Sequence, residues 1–187
     1  MTTGARRAAE AFTLFDTAIG PCAVAWRGEA IVGVELPSAK VATTRARCRH
    51  RWPDAVEPTG VTPPAFVVRA AVEIAALLAG GRPDFSTLPL DLTDVPEFHR
   101  RVYDLTCAIP PGSTRTYGDI ARDLGDVGAS RAVGQALGRN PIPLIVPCHR
   151  VLAAGGDLRG FSGAGGIVTK RRLLAIEGAS GVQLTLF

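Results

Sequence analysis

One short block could do covalent chemistry: Pro147-Cys148-His149-Arg150-Val151, placed after the proline-stiffened run Asn140-Pro141-Ile142-Pro143-Leu144-Ile145-Val146. Each proline locks φ and pushes its preceding residue toward extended backbone. The run is therefore expected to enter the core as an extended, strand-like piece that holds Cys148 in a fixed place. A histidine and a carboxylate near a buried thiol can hold it as thiolate, the nucleophilic form. In extended chain, neighbouring side chains face opposite ways, so His149 is expected to act on Cys148 through an intermediary such as a water. Glu177, at the end of a helical run stopped by Gly178, is the carboxylate available to His149.

The elements that must position this block divide into two parts, residues 1–92 and 93–187, in an α+β arrangement. The first part reads as a small α/β domain. Cys22–Trp26 and Ile31–Leu36 form a hairpin around Arg27-Gly28-Glu29, residues 65–79 an apolar, alanine-rich helix, and Phe85–Leu92 a further strand. Arg45, Arg47, Arg49 and Arg51 make a basic run, read as a solvated face or loop. The second part is mainly helical, with helices over Pro96–Cys107, Thr116–Leu124 and Arg131–Gly138. Thr116 or a neighbour is the expected N-cap of the second, and Ser130 that of the third. Helix, glycine-containing turn, helix is the helix-turn-helix pattern. On the second of these helices Arg131, Gln135 and Arg139 share one face, and the small Ala132, Gly134 and Ala136 let a backbone approach closely. An ordinary packed helical pair satisfies the same pattern.

Charge and composition exclude more than they specify. The chain of 187 residues carries a net charge of +4, with ten Lys/Arg against nine Asp/Glu up to residue 92 and eleven against eight beyond it. That bias suits limited phosphate contact. Cysteines 22, 48, 107 and 148 form no CxxC pair, which argues against a disulfide framework or a tetrahedral zinc site. Cys48-Arg49-His50 alone does not make a metal site. No apolar stretch is long enough for a membrane span and the start lacks an apolar signal core, so the cytoplasm is expected.

The C-terminal part resembles the O6-alkylguanine-DNA alkyltransferases. The resemblance rests on Ile109-Pro110-Pro111-Gly112-Ser113-Thr114-Arg115-Thr116-Tyr117-Gly118-Asp119-Ile120-Ala121, Ser130-Arg131-Ala132-Val133-Gly134, Asn140-Pro141-Ile142-Pro143, Pro147-Cys148-His149-Arg150-Val151, Gly160-Phe161-Ser162-Gly163 and Leu173-Leu174-Ala175-Ile176-Glu177, all in family order. It implies single-turnover DNA repair. The protein would bind double-stranded DNA through the minor groove, flip an O6-alkylated guanine out of the stack and move its alkyl group onto Cys148. It implies a network of Asn140, water, His149 and Glu177 that activates the thiol. Arg131 would fill the gap left by the base, and Ala132, Gly134 and Gln135 would lie against the groove. Tyr117, Pro143, Val151, Phe161 and Ser162 would surround the base, with Tyr117 and Ser162 supporting the leaving guanine. No metal or organic cofactor is implied, and a monomer is expected.

Two departures from that family are visible. Phe161 stands where a tyrosine is more common, and the stretch from Phe161 to Lys170 is two residues longer than usual. Cys148 separates the chain from alkyltransferase-like lesion binders, which lack the acceptor cysteine. A helix-turn-helix regulator and a cysteine hydrolase are weaker alternatives. The tail Gln183-Leu184-Thr185-Leu186-Phe187 resembles the pentapeptide that docks on the bacterial replication sliding clamp. Packing of the tail on the protein's own body as a terminal strand is the competing expectation.

Overall fold

The alternation of side chains along Cys22-Ala23-Val24-Ala25-Trp26 governs the N-terminal half. Cys22, Val24 and Trp26 face one way and Ala23 and Ala25 the other, and all five are buried. A strand apolar on both faces needs a layer on each side. In the computed structural model, which describes residues 9–158, 161 and 163–179, both layers are present. Strands β1 (Ala11–Phe15), β2 (Cys22–Arg27) and β3 (Ala30–Glu35) form an antiparallel meander with a bulge at Ala25/Trp26. Helix α1 (Val41–Arg51) covers the alanine face through Cys48, with Trp52 and Phe12 beside it. Helix α2 (Ala65–Leu78) covers the opposite face with Val67, Ala70, Ile74 and Leu77.

Three N-terminal expectations need correction. Residues 11–15 form a strand that the hairpin reading did not include. The basic run is a helix, and only part of it is solvated. Thr44 and Cys48, one helical turn apart, are buried, Arg45 pairs with Glu57, and Arg47 and Arg51 both pair with the buried Glu35. The Phe85–Leu92 stretch is not a strand. Asp84 folds back onto the Ser86 N–H, and only Leu90 bridges Ile31 through backbone bonds at Pro89 and Asp91. Pro89 has no N–H to offer a ladder.

The C-terminal half packs α3 (Glu97–Cys107), α4 (Tyr117–Asp123) and α5 (Ser130–Gly138) around Val102, Tyr103, Ile120, Val133 and Leu137. Tyr103 donates its hydroxyl to the Ala136 carbonyl at 2.9 Å. Thr116 caps α4 in a reciprocal box with Asp119. Ser130 does not cap α5. It is the first residue of that helix, and Ala129 is the cap without a side-chain bond. Asp126 instead closes the preceding turn on Gly128 and Ala129, carrying the chain into the helix one residue earlier. A two-residue parallel pairing joins β4 (Arg115–Thr116) to β5 (Val151–Leu152), and α6 (Gly166–Ile176) ends the described chain.

The segment 140–147 is not an extended strand. It is a series of turns with Leu144 at φ 76°, closed by the Val146 N–H donating to Ile142 at 2.9 Å. The cause is the Asn140 side chain. Its Oδ1 accepts from the Ile142 N–H at 3.0 Å and its Nδ2 donates to the Val146 carbonyl at 2.8 Å. Ile142, Leu144 and Ile145 then pack into the same core as the N-terminal sheet and α2.

Gly33 of β3 lies against the Trp52 indole, and a Cβ there would run into the ring. Gly33→Ala is expected to lower unfolding free energy by about 1–3 kcal/mol, the range for overpacking. Urea denaturation checks this, and an unchanged midpoint would show that the indole moves freely.

Candidate active site

Cys148 opens a single 3-10 turn, Cys148–Arg150, so Cys148 and His149 are not on opposite faces of a strand. The Cys148 N–H donates to the Val146 carbonyl at 2.8 Å, the same oxygen that Asn140 holds. Cys148 itself is 9% exposed. Burial pushes its thiol up from the ordinary value. A hydrogen bond from Asn140, the charge of Lys170 and the backbone N–H groups of Cys148 and His149 pull the other way.

Behind the thiol lies a buried ionic cluster. His149 Nε2 is 2.9 Å from Glu177 Oε1. Arg150 grips the same carboxylate with Nε at 3.0 Å from Oε2 and Nη2 at 2.8 Å from Oε1, while its Nη1 donates to the Ile109 carbonyl at 2.5 Å. Glu177 is the C-cap of α6, followed by Gly178 at φ 69°. A carboxylate at a helix C-terminus is disfavoured by the helix dipole, so the two cationic or donor partners must compensate. Burial pushes the Glu177 carboxyl up, yet the bonds and charges of His149 and Arg150 outweigh it and hold the group at about 2. Burial moves His149 the other way, below its ordinary value, against the pull of Glu177. Neutral His149 beside ionised Glu177 carries its proton on Nε2. Nδ1 is then a lone-pair acceptor, buried and without a hydrogen-bond partner among the described residues.

Two residues of this cluster had no role in the reading of the sequence. Arg150 is one. The other is Lys170, 1% exposed, whose Nζ donates to the Val151 carbonyl at 2.6 Å and sits 5.8 Å from the Tyr117 ring centroid. Burial lowers its ammonium to about 8, against the opposing pull of Cys148 and Asp157. A signal existed. Lys170, Leu173, Leu174 and Glu177 follow the spacing of one helix face, and that face is buried.

A cavity of about 380 Å³ opens beside Cys148, lined by Tyr117, Asn140, Pro143 and Phe161 from one side and by Glu35 and Arg51 from the N-terminal half. This volume lies in the usual range for a small-molecule pocket, roughly 300–1,000 Å³. Val151 does not line it. Pairing of β5 with β4 turns that side chain into the helical core, where it is fully buried. Ser162 and the tail Gln183–Phe187 lie outside the described residues. On α5, Arg131 and Gln135 are exposed while Ala132 and Gly134 are half-buried, and a Cβ on Gly134 would meet the Tyr117 ring at 3.9 Å. The exposed face of α5 and the cavity thus meet at Tyr117. Among the described residues no cluster of three metal-ligating side chains occurs.

The family model described as "6-O-methylguanine DNA methyltransferase, DNA binding domain" matches residues 97–179. The methylated-DNA–protein-cysteine methyltransferase of Mycobacterium tuberculosis is 38% identical over 177 residues, covering 94% of this chain and 98% of the relative. The chain belongs to the methylated-DNA–protein-cysteine methyltransferase family. The crystal structure of the Mycobacterium tuberculosis OGT in complex with DNA aligns at a TM-score of 0.70 and 36% identity, covering 89% of this chain and 92% of that one. An archaeal O6-methylguanine-DNA methyltransferase, from Pyrococcus kodakaraensis, aligns at 0.68 and 27% identity over 90% of this chain and 99% of its own. The α+β fold of this methyltransferase family member, a sheet-containing half followed by a helical half, is that of its solved relatives.

Glu177 titrates from about 2 when folded, below its ordinary 4.5. Its stabilisation is fully present above pH 4.5 and is lost as pH falls toward 2. Glu177→Ala leaves Arg150 buried and unpaired and is expected to cost about 3–5 kcal/mol at neutral pH. Urea denaturation at pH 7 and pH 3 checks both points. The wild-type protein should lose more stability between the two than the variant, and equal losses would exclude the cluster as a source of acid sensitivity.

Proposed function

We propose that the protein repairs DNA by direct transfer of an alkyl group from O6 of guanine to Cys148, once per protein molecule. The observation that carries this reading is the buried Cys148 in the wall of a base-sized cavity, backed by His149 with a free Nδ1 and by Glu177. His149 takes the thiol proton on Nδ1 through a water, and Glu177 stabilises the imidazolium that results. The thiolate attacks the alkyl carbon in line, the carbon–O6 bond breaks, and the guanine anion leaves. Tyr117 lines the cavity, and burial raises its phenol above the ordinary value, so it stays protonated and can donate to the departing base. Ser162 is assigned the same duty at O6. Lys170 adds positive charge beside the sulfur. The product is a thioether with no carbonyl for water to attack, so the thiol is not regenerated. No metal or organic cofactor enters this chemistry.

Double-stranded DNA is the proposed partner, in line with the relative solved in complex with DNA. A thiol this buried cannot reach a stacked base, so the alkylated guanine must be extruded. The exposed Arg131 at the start of α5 is suited to fill the gap. Ala132, Gly134 and Gln135 then lie along the minor groove, whose degenerate pattern suits repair at any sequence. Residues 93–187 carry the reacting groups and residues 1–92 form the second domain. One copy of the chain supplies every group named, so the protein is proposed to act as a monomer, in the cytoplasm on nucleoid DNA. No described helix is long and apolar enough to cross a membrane.

Mixing the protein with a duplex containing O6-methylguanine tests the reaction. Peptide mass spectrometry should find one methyl on the peptide containing Cys148 and none in Cys148→Ala. Methyl on Cys22, Cys48 or Cys107 instead, or continuing turnover, would contradict the proposal. Arg131→Ala and Tyr117→Phe should each slow single-turnover transfer at least about tenfold while changing affinity for undamaged duplex little, since phosphate contacts dominate that affinity. Normal rates in both variants would remove their assigned roles.

The tail Gln183–Phe187 is proposed to dock on the replication sliding clamp, with Leu184, Leu186 and Phe187 filling an apolar groove. Deleting residues 183–187 should abolish capture by the clamp in a pull-down while leaving repair of short duplexes intact. No binding of the intact protein to the clamp of its own organism would end this idea.

A further inference from the structure

The Pro141 carbonyl, immediately after Asn140, receives two donors from the N-terminal half. The Val34 N–H of β3 lies at 3.1 Å and Arg51 Nη2, at the end of α1, at 2.7 Å. The other arm of the Arg51 fork, Nη1, donates to the Val34 carbonyl at 2.8 Å and meets Glu35 Oε2 at 3.3 Å. Glu35 is buried and also pairs with Arg47, and the Arg51 guanidinium carbon lies 4.9 Å from the centroid of the Trp52 ring. The guanidinium is therefore fixed on several sides, and only an arginine fork reaches two carbonyls and a carboxylate at once. From Pro141 the connections run inward. Asn140 holds the Val146 carbonyl, and that carbonyl accepts the Cys148 N–H.

We propose that Arg51 is a positioning residue for the acceptor thiol: by tying the Asn140–Pro141 turn to β3 and Glu35 it sets the place of Cys148, 97 residues along the chain. This inference rests on the alkyl-transfer reading and gives the N-terminal domain a specific part in it. Residues 140–145 lack regular secondary structure of their own. Without an outside tie the turn has only the Asn140 side chain, the bond from the Val146 N–H to the Ile142 carbonyl and its packing to hold it. Small misplacement of a nucleophile is costly, because the in-line approach must be met within fractions of an ångström.

Arg51→Ala is expected to slow single-turnover methyl transfer about 10- to 100-fold. Affinity for undamaged duplex should stay within about a factor of two, because Arg51 is committed to protein carbonyls and not to phosphates. Arg51→Lys keeps the charge but reaches one carbonyl at most, and should fall between the two; it also serves if the alanine variant folds poorly. In combination with Asn140→Ala the Arg51 substitution should add no further loss, since both act through one turn. A second readout needs no DNA. The rate at which iodoacetamide labels Cys148 should shift to higher pH in Arg51→Ala, because the Asn140 hydrogen bond to the sulfur is loosened while Lys170, Tyr117, Tyr103 and the backbone N–H groups of Cys148 and His149 still act on it. A wild-type rate and an unshifted labelling profile in the Arg51 variants, or simple additivity with Asn140→Ala, would overturn the proposal. Failure of the wild-type protein to take up methyl would instead overturn the alkyl-transfer reading, and the labelling profile would still decide whether Arg51 positions the thiol.

Discussion

A single carboxylate, Glu177, sits where three demands converge. It closes the C-terminus of α6, it orients His149 through Nε2, and it neutralises the buried Arg150. Each demand alone is unfavourable. A negative charge at a helix C-terminus opposes the dipole, and each buried ion gives up several kcal/mol of hydration. Together they are self-consistent, because every polar arm of Glu177 has a partner and Arg150 extends the tie to the Ile109 carbonyl at the end of α3. Helix α6, the turn at Cys148 and the loop after α3 are thereby locked to one point. Removing Glu177 or Arg150 leaves a bare charge in the interior, so Cys148 has a rigid rear wall.

The front wall is built on a different principle. It comes from a turn, 140–147, that is held by side chains and by the N-terminal half and not by a continuous ladder. Asn140 organises it from inside, and β3 and Arg51 hold it from outside. Apolar residues of this turn enter the core of the sheet domain, so the division near residue 92 is a division of chain and not of packing. Under the proposed reaction this matters, because the thiol stands between a charged cluster of the C-terminal half and a turn whose outer ties come from the N-terminal half.

Opposing influences act on the thiol, and burial is the largest of them. Burial favours the neutral thiol and neutral His149, while Lys170 and the surrounding donors favour the thiolate. A thiol that burial keeps largely protonated is less exposed to indiscriminate alkylation or oxidation. Under the proposed single-turnover reaction, that restraint would conserve the acceptor.

Local signals in the sequence determined a good deal. Alternation in β2, the apolar run of α2, the Thr116–Asp119 capping box, Gly178 after Glu177 and the Pro-Cys-His-Arg block all act over a few residues, so they can be read without knowing the fold. The pairing of His149 with Glu177 was legible for the same reason: each residue carried its own chemical marker. Tertiary structure decided the rest. Prolines 141, 143 and 147 spoke for an extended segment, but the Asn140 side chain supplied competing bonds that fold it into turns. Ser130 looked like a cap, but the Asp126 turn started the helix earlier. Val151 looked like a pocket residue, but its strand pairing turned it inward. The arginines of α1 looked solvated because their partners, Glu35, Glu57 and the Pro141 carbonyl, are distant in sequence or carry no side-chain signature. A backbone carbonyl as ligand leaves no mark in an amino-acid sequence. That is why the chain of bonds from Arg51 to the Cys148 backbone exists only in three dimensions.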